Sequence, residues 1–285
     1  MADVLATATL PAALGEWVQG WIKGRELIVS LVTAWHGSVE LCILREGDAF
    51  RLAGRKAAGA FASAKEIFSG EGMNPFPDDC FLNIINPHPP SRGLGTSTMD
   101  VAGTYASAAA YAGAPLSEER LFSLCCGIDP GDGIMFKGLA LVDYIKGELI
   151  ERLPAPPAMS AVAVIPYRTL DTDDYMEGGL REASKECFRE HERAYDTLKM
   201  GLERGDPSLA AMAATISAEA SNKIMPREDW DVLRETCDLT GALGIAAAHA
   251  GTASALLYAE GNKFGADLAE RMLKDSFSGH KVTVR

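Results

Sequence analysis

Ser91-Arg92-Gly93-Leu94-Gly95-Thr96-Ser97-Thr98-Met99-Asp100 decides how the rest of the chain is read. Two glycines flank one leucine, three hydroxyl residues follow, and a small-residue run to Tyr111 has the character of a helix. That is a flexible loop delivered onto a helix amino terminus. Backbone N–H groups and the helix dipole there favour an anion, and hydroxyls reach a phosphate or its Mg2+. A plain turn closed by a Ser/Thr N-cap would have the same local pattern. The loop lacks both the Walker A lysine and the third glycine of a dinucleotide fingerprint, so it points away from those two nucleotide folds.

Working upstream, Pro87-His88-Pro89-Pro90 cannot be helical and receives a short apolar strand at 81–86. Residues 54–74 read as helix and loop, and 26–33 and 38–45 as strands separated by a turn at Ala34-Trp35-His36-Gly37. Downstream, Gly113 and Pro115 stop the helix, and Ser117 with Glu118 and Glu119 starts another. Strands follow at 138–144 and 148–153, hinged at Lys146-Gly147. Leu153-Pro154-Ala155-Pro156-Pro157 is a stiff joint that divides the chain into domains at 1–153 and 158–285. Beyond it the pattern predicts a strand at 161–165, amphipathic helices at 173–200, 208–220 and 227–239, and a buried strand at 243–248. A helix at 253–259 and a last strand at 280–284 complete it. Each half is α+β, and neither alternates like a doubly wound sheet.

Composition narrows the function. Of 285 residues, 39 are acidic and 27 basic, a net charge of −12, which argues against general nucleic-acid binding. Six cysteines without CxxC spacing read as reduced structural thiols. The amino terminus has Asp3 before any basic residue, so no secretory leader is read. The uncharged run 239–259 is too rich in Ala, Gly and Thr, with His249 inside, to be a membrane span.

Three more segments carry candidate chemistry. Gly127-Ile128-Asp129-Pro130-Gly131-Asp132-Gly133 places two carboxylates three residues apart, one suited to a cation and one to a substrate hydroxyl; an Asx-turn loop is its bland alternative. Ala248-His249-Ala250-Gly251-Thr252 sets a histidine in a small-residue turn that another backbone or a ligand could approach closely. Pro11-Ala12-Ala13-Leu14-Gly15-Glu16-Trp17-Val18-Gln19-Gly20 sets Glu16 and Gln19 among apolar neighbours, with Trp17 and Trp21 as core.

In this order, the four segments resemble the GHMP kinase superfamily, and within it the L-threonine kinases of cobalamin biosynthesis. Gly93 to Thr98 looks like the superfamily phosphate loop P-x-x-x-G-L-G-S-S, and Pro11 to Gly20 is similar to the opening PAxxGExxQG. Thr96 to Asp100 resembles S-S-T-x-D, Asp129 to Gly133 resembles E-P-T-D-G, and Ala248 to Thr252 resembles A-H-S-G-T. The likeness spans most of residues 11–258. It departs at Ala13-Leu14, where those kinases carry Ser/Thr-Cys, and at Asp129, Gly131 and Ala250, which replace Glu, Thr and Ser.

The resemblance implies a two-domain α+β GHMP kinase fold, with a ribosomal S5 domain 2-like amino-terminal domain and a ferredoxin-like carboxy-terminal one. It implies ATP and Mg2+ as cofactors. Pro90, Arg92, Gly93, Leu94, Gly95, Thr96, Ser97 and Thr98 would wrap the ATP phosphates, and Ser97 and Asp129 would hold the metal. Asp132 would take the proton of the accepting hydroxyl. Glu16, Gln19, His249, Ala250, Gly251 and Thr252 would line the acceptor pocket, with Arg92 or Lys137 as a basic group for the transferring phosphoryl. The expected partners are ATP and a small hydroxylated substrate, L-threonine or a related amino acid or amino alcohol, in the cytoplasm. Neither nucleic acid nor membrane is among them, and a homodimer stays an open alternative. So do a regulatory nucleotide binder without turnover and a structural interaction protein whose loop is only a cap.

Overall fold

The computed structural model describes residues 3–43, 54–169, 179–277 and 280–284. Its spine is a hairpin of two long strands, β1 (Asp3–Ile22) and β2 (Arg25–Ile43), joined by Lys23-Gly24 with both residues at positive φ. That turn matches the right-handed twist of the strands it connects. Register shifts between Pro11 and Val18 bend β1, because each inserts unpaired backbone on one strand. The 34–37 segment, expected as a turn, lies inside β2. Trp35 is buried and stacks on His88, and Thr33 Oγ1 takes the Trp35 amide while donating to the Ala12 carbonyl. The chain bends there without reversing. Of the expected strand at 38–45, the last two residues lie outside the described ones.

Further strands are β3 (Cys80–Ile85), β4 (Leu139–Asp143), β5 (Glu148–Leu153) and β6 (Met159–Pro166), with β7 (Gly244–Ala247), β8 (Ser254–Ala259) and β9 (His280–Val284). They form one antiparallel sheet, ordered β5-β4-β2-β1-β7-β8-β6-β9, with β3 on β2. The two halves of the chain meet in it where Glu16 pairs with Ala247. The architecture is mixed α+β, as expected.

The helices are α1 (Arg55–Ile67), α2 (Thr96–Ala112), α3 (Glu118–Cys126), α4 (Leu180–Glu186), α5 (Phe188–Arg204), α6 (Pro207–Ile224), α7 (Trp230–Thr240) and α8 (Lys263–Ser276). Ser117 caps α3 through the Arg120 amide, and Asp206 caps α6 ahead of Pro207. The expected helix at 173–200 is two helices broken at Cys187, and residues 173–178 lie outside the described ones. The expected helix at 227–239 begins only at Trp230, and α8 was not anticipated.

The expected helix at 253–259 is strand β8. Its Ala255 and Leu257 enter the main core with Ala163 and Ile165, while Leu256 and Tyr258 join Val162, Val164 and Leu233 in a second core under α7 and α8. A strand buried on both faces shows no apolar–polar alternation, and Ala and Leu favour helix by propensity; pairing with β6 and β7 overrides that preference.

Candidate active site

The loop before α2 makes a tight cradle. Ser91, Gly93 and Gly95 all have positive φ, and Gly95 is the N-cap of α2 with no side-chain cap over the first turn. Its carbonyls are tied inward. Arg92 O accepts the Thr252 and Ala253 amides, Gly93 O the Gly15 amide and Leu94 O the Ala13 amide. A Cβ on Gly93 would overlap the Ala248 methyl, and one on Gly251 would overlap Gly93 itself. The small residues of three segments distant in sequence therefore exist to let their backbones interlock. With its carbonyls held this way, the uncapped amino end of α2 opens on a cleft of about 380 Å3.

The acidic loop faces that helix end. Ser97 Oγ donates to Asp129 Oδ2 at 3.0 Å, and Thr98 Oγ1 donates to Asp132 Oδ2 at 3.4 Å while accepting the Asp132 amide at 3.0 Å. Ser30 Oγ completes the frame, donating to Asp132 Oδ1 at 3.5 Å and accepting the Gly133 amide. Burial raises the Asp132 carboxyl above its ordinary range, against the lowering effects of His249, Thr98 and Ser30. A raised carboxyl is a stronger base once ionised.

Behind Asp132 lies a second polar layer. Glu16 Oε2 accepts the His249 amide at 2.6 Å, and its carboxyl is held well above the usual range, first by burial and then by the charge of Asp132. His249 stands edge-on to Tyr144, with Nε2 3.7 Å from Glu26 Oε1; Glu26 also accepts from Arg181 Nε at 2.6 Å. Although burial opposes it, His249 and Arg181 bring the Glu26 carboxyl down to about 2.

The predicted site residues separate by position. Pro90, Gly93 to Thr98, Asp129, Asp132 and Ala250 line the one cleft, with Leu94 contributing backbone because its side chain is buried. Glu16 and His249 sit in the polar layer beside Asp132. Gln19 lines a small cavity with His249 and His191, and its amide donates to Ser217. Gly251 and Thr252 support the glycine loop before α2, the Thr252 amide donating to Arg92 O and Thr252 Oγ1 to Arg168 O. Arg92 and Lys137 are not among the cleft-lining residues, and the Arg92 guanidinium donates to the Tyr167 carbonyl.

The cations that do line it, Arg55 and Lys56, escaped sequence reading. A signal was present: two basic residues directly after Gly54 open a helix whose first turn has no acid, the reverse of the usual dipole preference. Among the described residues no group of three or more His, Cys, Asp or Glu is placed to hold a metal. Ser97 Oγ and Asp129 Oδ2 nonetheless fit Mg2+, which takes one or two protein oxygens and completes its shell from phosphate and water. No helix among the described residues is long and apolar enough to cross a membrane.

The family model described as "GHMP kinases N terminal domain" matches residues 55–135, which include the glycine loop before α2 and the acidic loop that faces it. Residues 55–135 thus match the amino-terminal domain of GHMP kinases, and the chain's relatives support a phosphotransferase with an alcohol group as acceptor. It is 28% identical over 272 residues to an L-threonine kinase of Citrobacter freundii, covering 94% of this chain and 91% of that one. Its fold is shared with mevalonate pyrophosphate decarboxylase from Streptococcus pyogenes, at a TM-score of 0.74 and 14% identity over 98% of this chain and 95% of that one. It is also shared with homoserine kinase from Cytophaga hutchinsonii, at a TM-score of 0.68 and 16% identity over 98% of this chain and 93% of that one.

Proposed function

We propose that this kinase transfers the γ-phosphoryl group of ATP to the hydroxyl of L-threonine, giving O-phospho-L-threonine, or to that of a closely related hydroxylated amino acid or amino alcohol. The observation that carries the reading is a pairing. Ser97 with Asp129 and Thr98 with Asp132 stand side by side at one uncapped helix terminus, in one cleft. The acceptor class comes from the likeness to the L-threonine kinase.

Phosphoryl transfer of this kind asks for positioning and charge neutralisation. The amides of Gly93 to Thr98 and the α2 dipole hold the triphosphate. Ser97 and Asp129 would hold Mg2+, which when bound neutralises phosphate oxygens. Asp132 orients the acceptor hydroxyl and takes its proton. The alcohol oxygen then forms the new bond to the γ-phosphorus as the bridge to the β-phosphate breaks, and ADP leaves. Glu16, Gln19 and the 249–252 loop shape the acceptor side, with the cleft shared between domains at 1–153 and 158–285. We place the activity in the cytoplasm.

An acceptor-dependent ADP-release assay across hydroxy amino acids and amino alcohols tests this, with the product identified by phosphorus NMR. Turnover with L-threonine or a close analogue is the expected result. ATP binding without release for any acceptor would favour a regulatory nucleotide binder, and absence of Mg·ATP-dependent thermal stabilisation would remove nucleotide binding altogether.

A further inference from the structure

Lys56 stands where two demands conflict. In the first turn of α1 it puts positive charge at the positive end of a helix, where a cation is disfavoured. Its ammonium nevertheless reaches Asp129 Oδ2 at 2.6 Å, the same oxygen that takes the Ser97 hydroxyl at 3.0 Å. That oxygen, with Ser97 Oγ, is the pair suited to a hard divalent cation. A metal on Asp129 Oδ2 with the ammonium in its present place would put two cations on one oxygen, and their mutual repulsion favours release of the lysine.

The charge lining the cleft says where the lysine goes. Its carboxylates are Asp100, Asp129 and Asp132, and its cations are Arg55 and Lys56, both at the start of α1. The amino ends of α1 and α2 open on the same space, so a triphosphate on α2 lies in front of α1. The Lys56 side chain is a third exposed, and its pair with Asp129 is of the open kind that is held weakly. A lysine ammonium is also a mobile point charge on a flexible stem, able to exchange one oxyanion for another.

We infer that Lys56, paired with Asp129 in this structure, is a phosphate-binding residue, and that Mg·nucleotide would draw its ammonium from the carboxylate onto the triphosphate. There it neutralises charge on the phosphoryl group being transferred, the role that Arg92 and Lys137 are not placed to fill. The inference rests on the kinase reading above and assigns it a residue.

Equilibrium titration of ADP and of a non-hydrolysable ATP analogue, each with and without Mg2+, separates the two. The proteins are the wild type, Lys56→Met, Lys56→Arg, Asp129→Asn and the Lys56→Met/Asp129→Asn double variant. Lys56→Met is expected to weaken nucleotide binding by about ten- to a hundredfold, the range of a charge-assisted hydrogen bond. It should do so both in the wild type and in the Asp129→Asn background, with Lys56→Arg restoring most of the affinity. If the lysine serves only to pair Asp129, Lys56→Met is silent in the Asp129→Asn background, and the inference is overturned. Unliganded melting curves show that each variant is folded. A wild type that binds no nucleotide would instead overturn the kinase reading itself.

Discussion

The backbone amide of His249 donates to Glu16 Oε2 at 2.6 Å, joining residues 233 positions apart through one buried carboxyl. This bond ties the bulged part of β1 to the loop after β7. Its energetics are unusual, since the group that makes it prefers to stay neutral.

Burial, reinforced by Asp132, raises the Glu16 carboxyl. The folded protein therefore keeps a proton that an unfolded chain releases near pH ~4.3. Stability from this group is complete below that point and is lost as pH rises through the raised folded value. Glu16→Gln retains an oxygen for the His249 amide and cannot ionise. It should melt higher than the wild type at neutral pH and show a flatter decline in melting temperature as pH rises above the ordinary glutamate value of about 4.3, with Asp132 supplying the remaining slope. Parallel curves for the two proteins would mean that Glu16 gains no proton on folding.

Asp132 carries the corresponding kinetic prediction. Replacement by Asn should lower kcat by about two orders of magnitude or more while nucleotide affinity changes little, because a base for the hydroxyl acts on turnover and not on phosphate binding. Since the base must be ionised and its carboxyl is raised, kcat/KM of the wild type should fall with acid at a pH above the ordinary aspartate range of about 3.9. A pH-independent rate down to that range would remove Asp132 from the base role.

Gly93 tests the interlock. An added methyl overlaps that of Ala248 at a backbone with φ +82°, so Gly93→Ala should cost about 2 kcal/mol or more and weaken nucleotide binding. The double variant Gly93→Ala/Ala248→Gly removes the overlap and leaves only the backbone strain. Denaturant unfolding should recover part of the loss in the double variant. No recovery would place the defect in the dihedral alone.

These positions also explain what could be read without coordinates. The glycine loop and the Asp129–Asp132 pair were legible because their chemistry is local: positive φ selects glycine, and two carboxylates three residues apart reach one space. Strand β8 was not, because Ala-Leu-Leu-Tyr carries no periodicity when both faces are buried. The continuity of β2 through Trp35 depends on His88, more than fifty positions away, which no turn rule sees. Lys56 was missed for the same reason, its carboxylate partner lying 73 residues downstream. Hardest of all was Arg227, whose hydrogen bonds go to backbone carbonyls that any sequence would supply.

Arg227 is the last test. Its side chain is 3% exposed, Nη2 donates to the carbonyls of Thr252 and Ala253, and Nε is 3.5 Å from the equally buried Asp229. The amides of Thr252 and Ala253 in turn hold Arg92 O, so this guanidinium braces the glycine loop before α2 from behind. Arg227→Met strands a buried carboxylate and the Thr252 carbonyl, while Ala253 O keeps the Ala248 amide, and should destabilise by about 3–5 kcal/mol. Arg227→Met/Asp229→Leu removes the stranded charge and should regain much of that stability. The loop brace is still missing in the double variant, so nucleotide affinity should stay low while the melting temperature recovers. Recovery of both together would show that the arginine acts only through its ion pair and that the glycine loop holds its shape unaided.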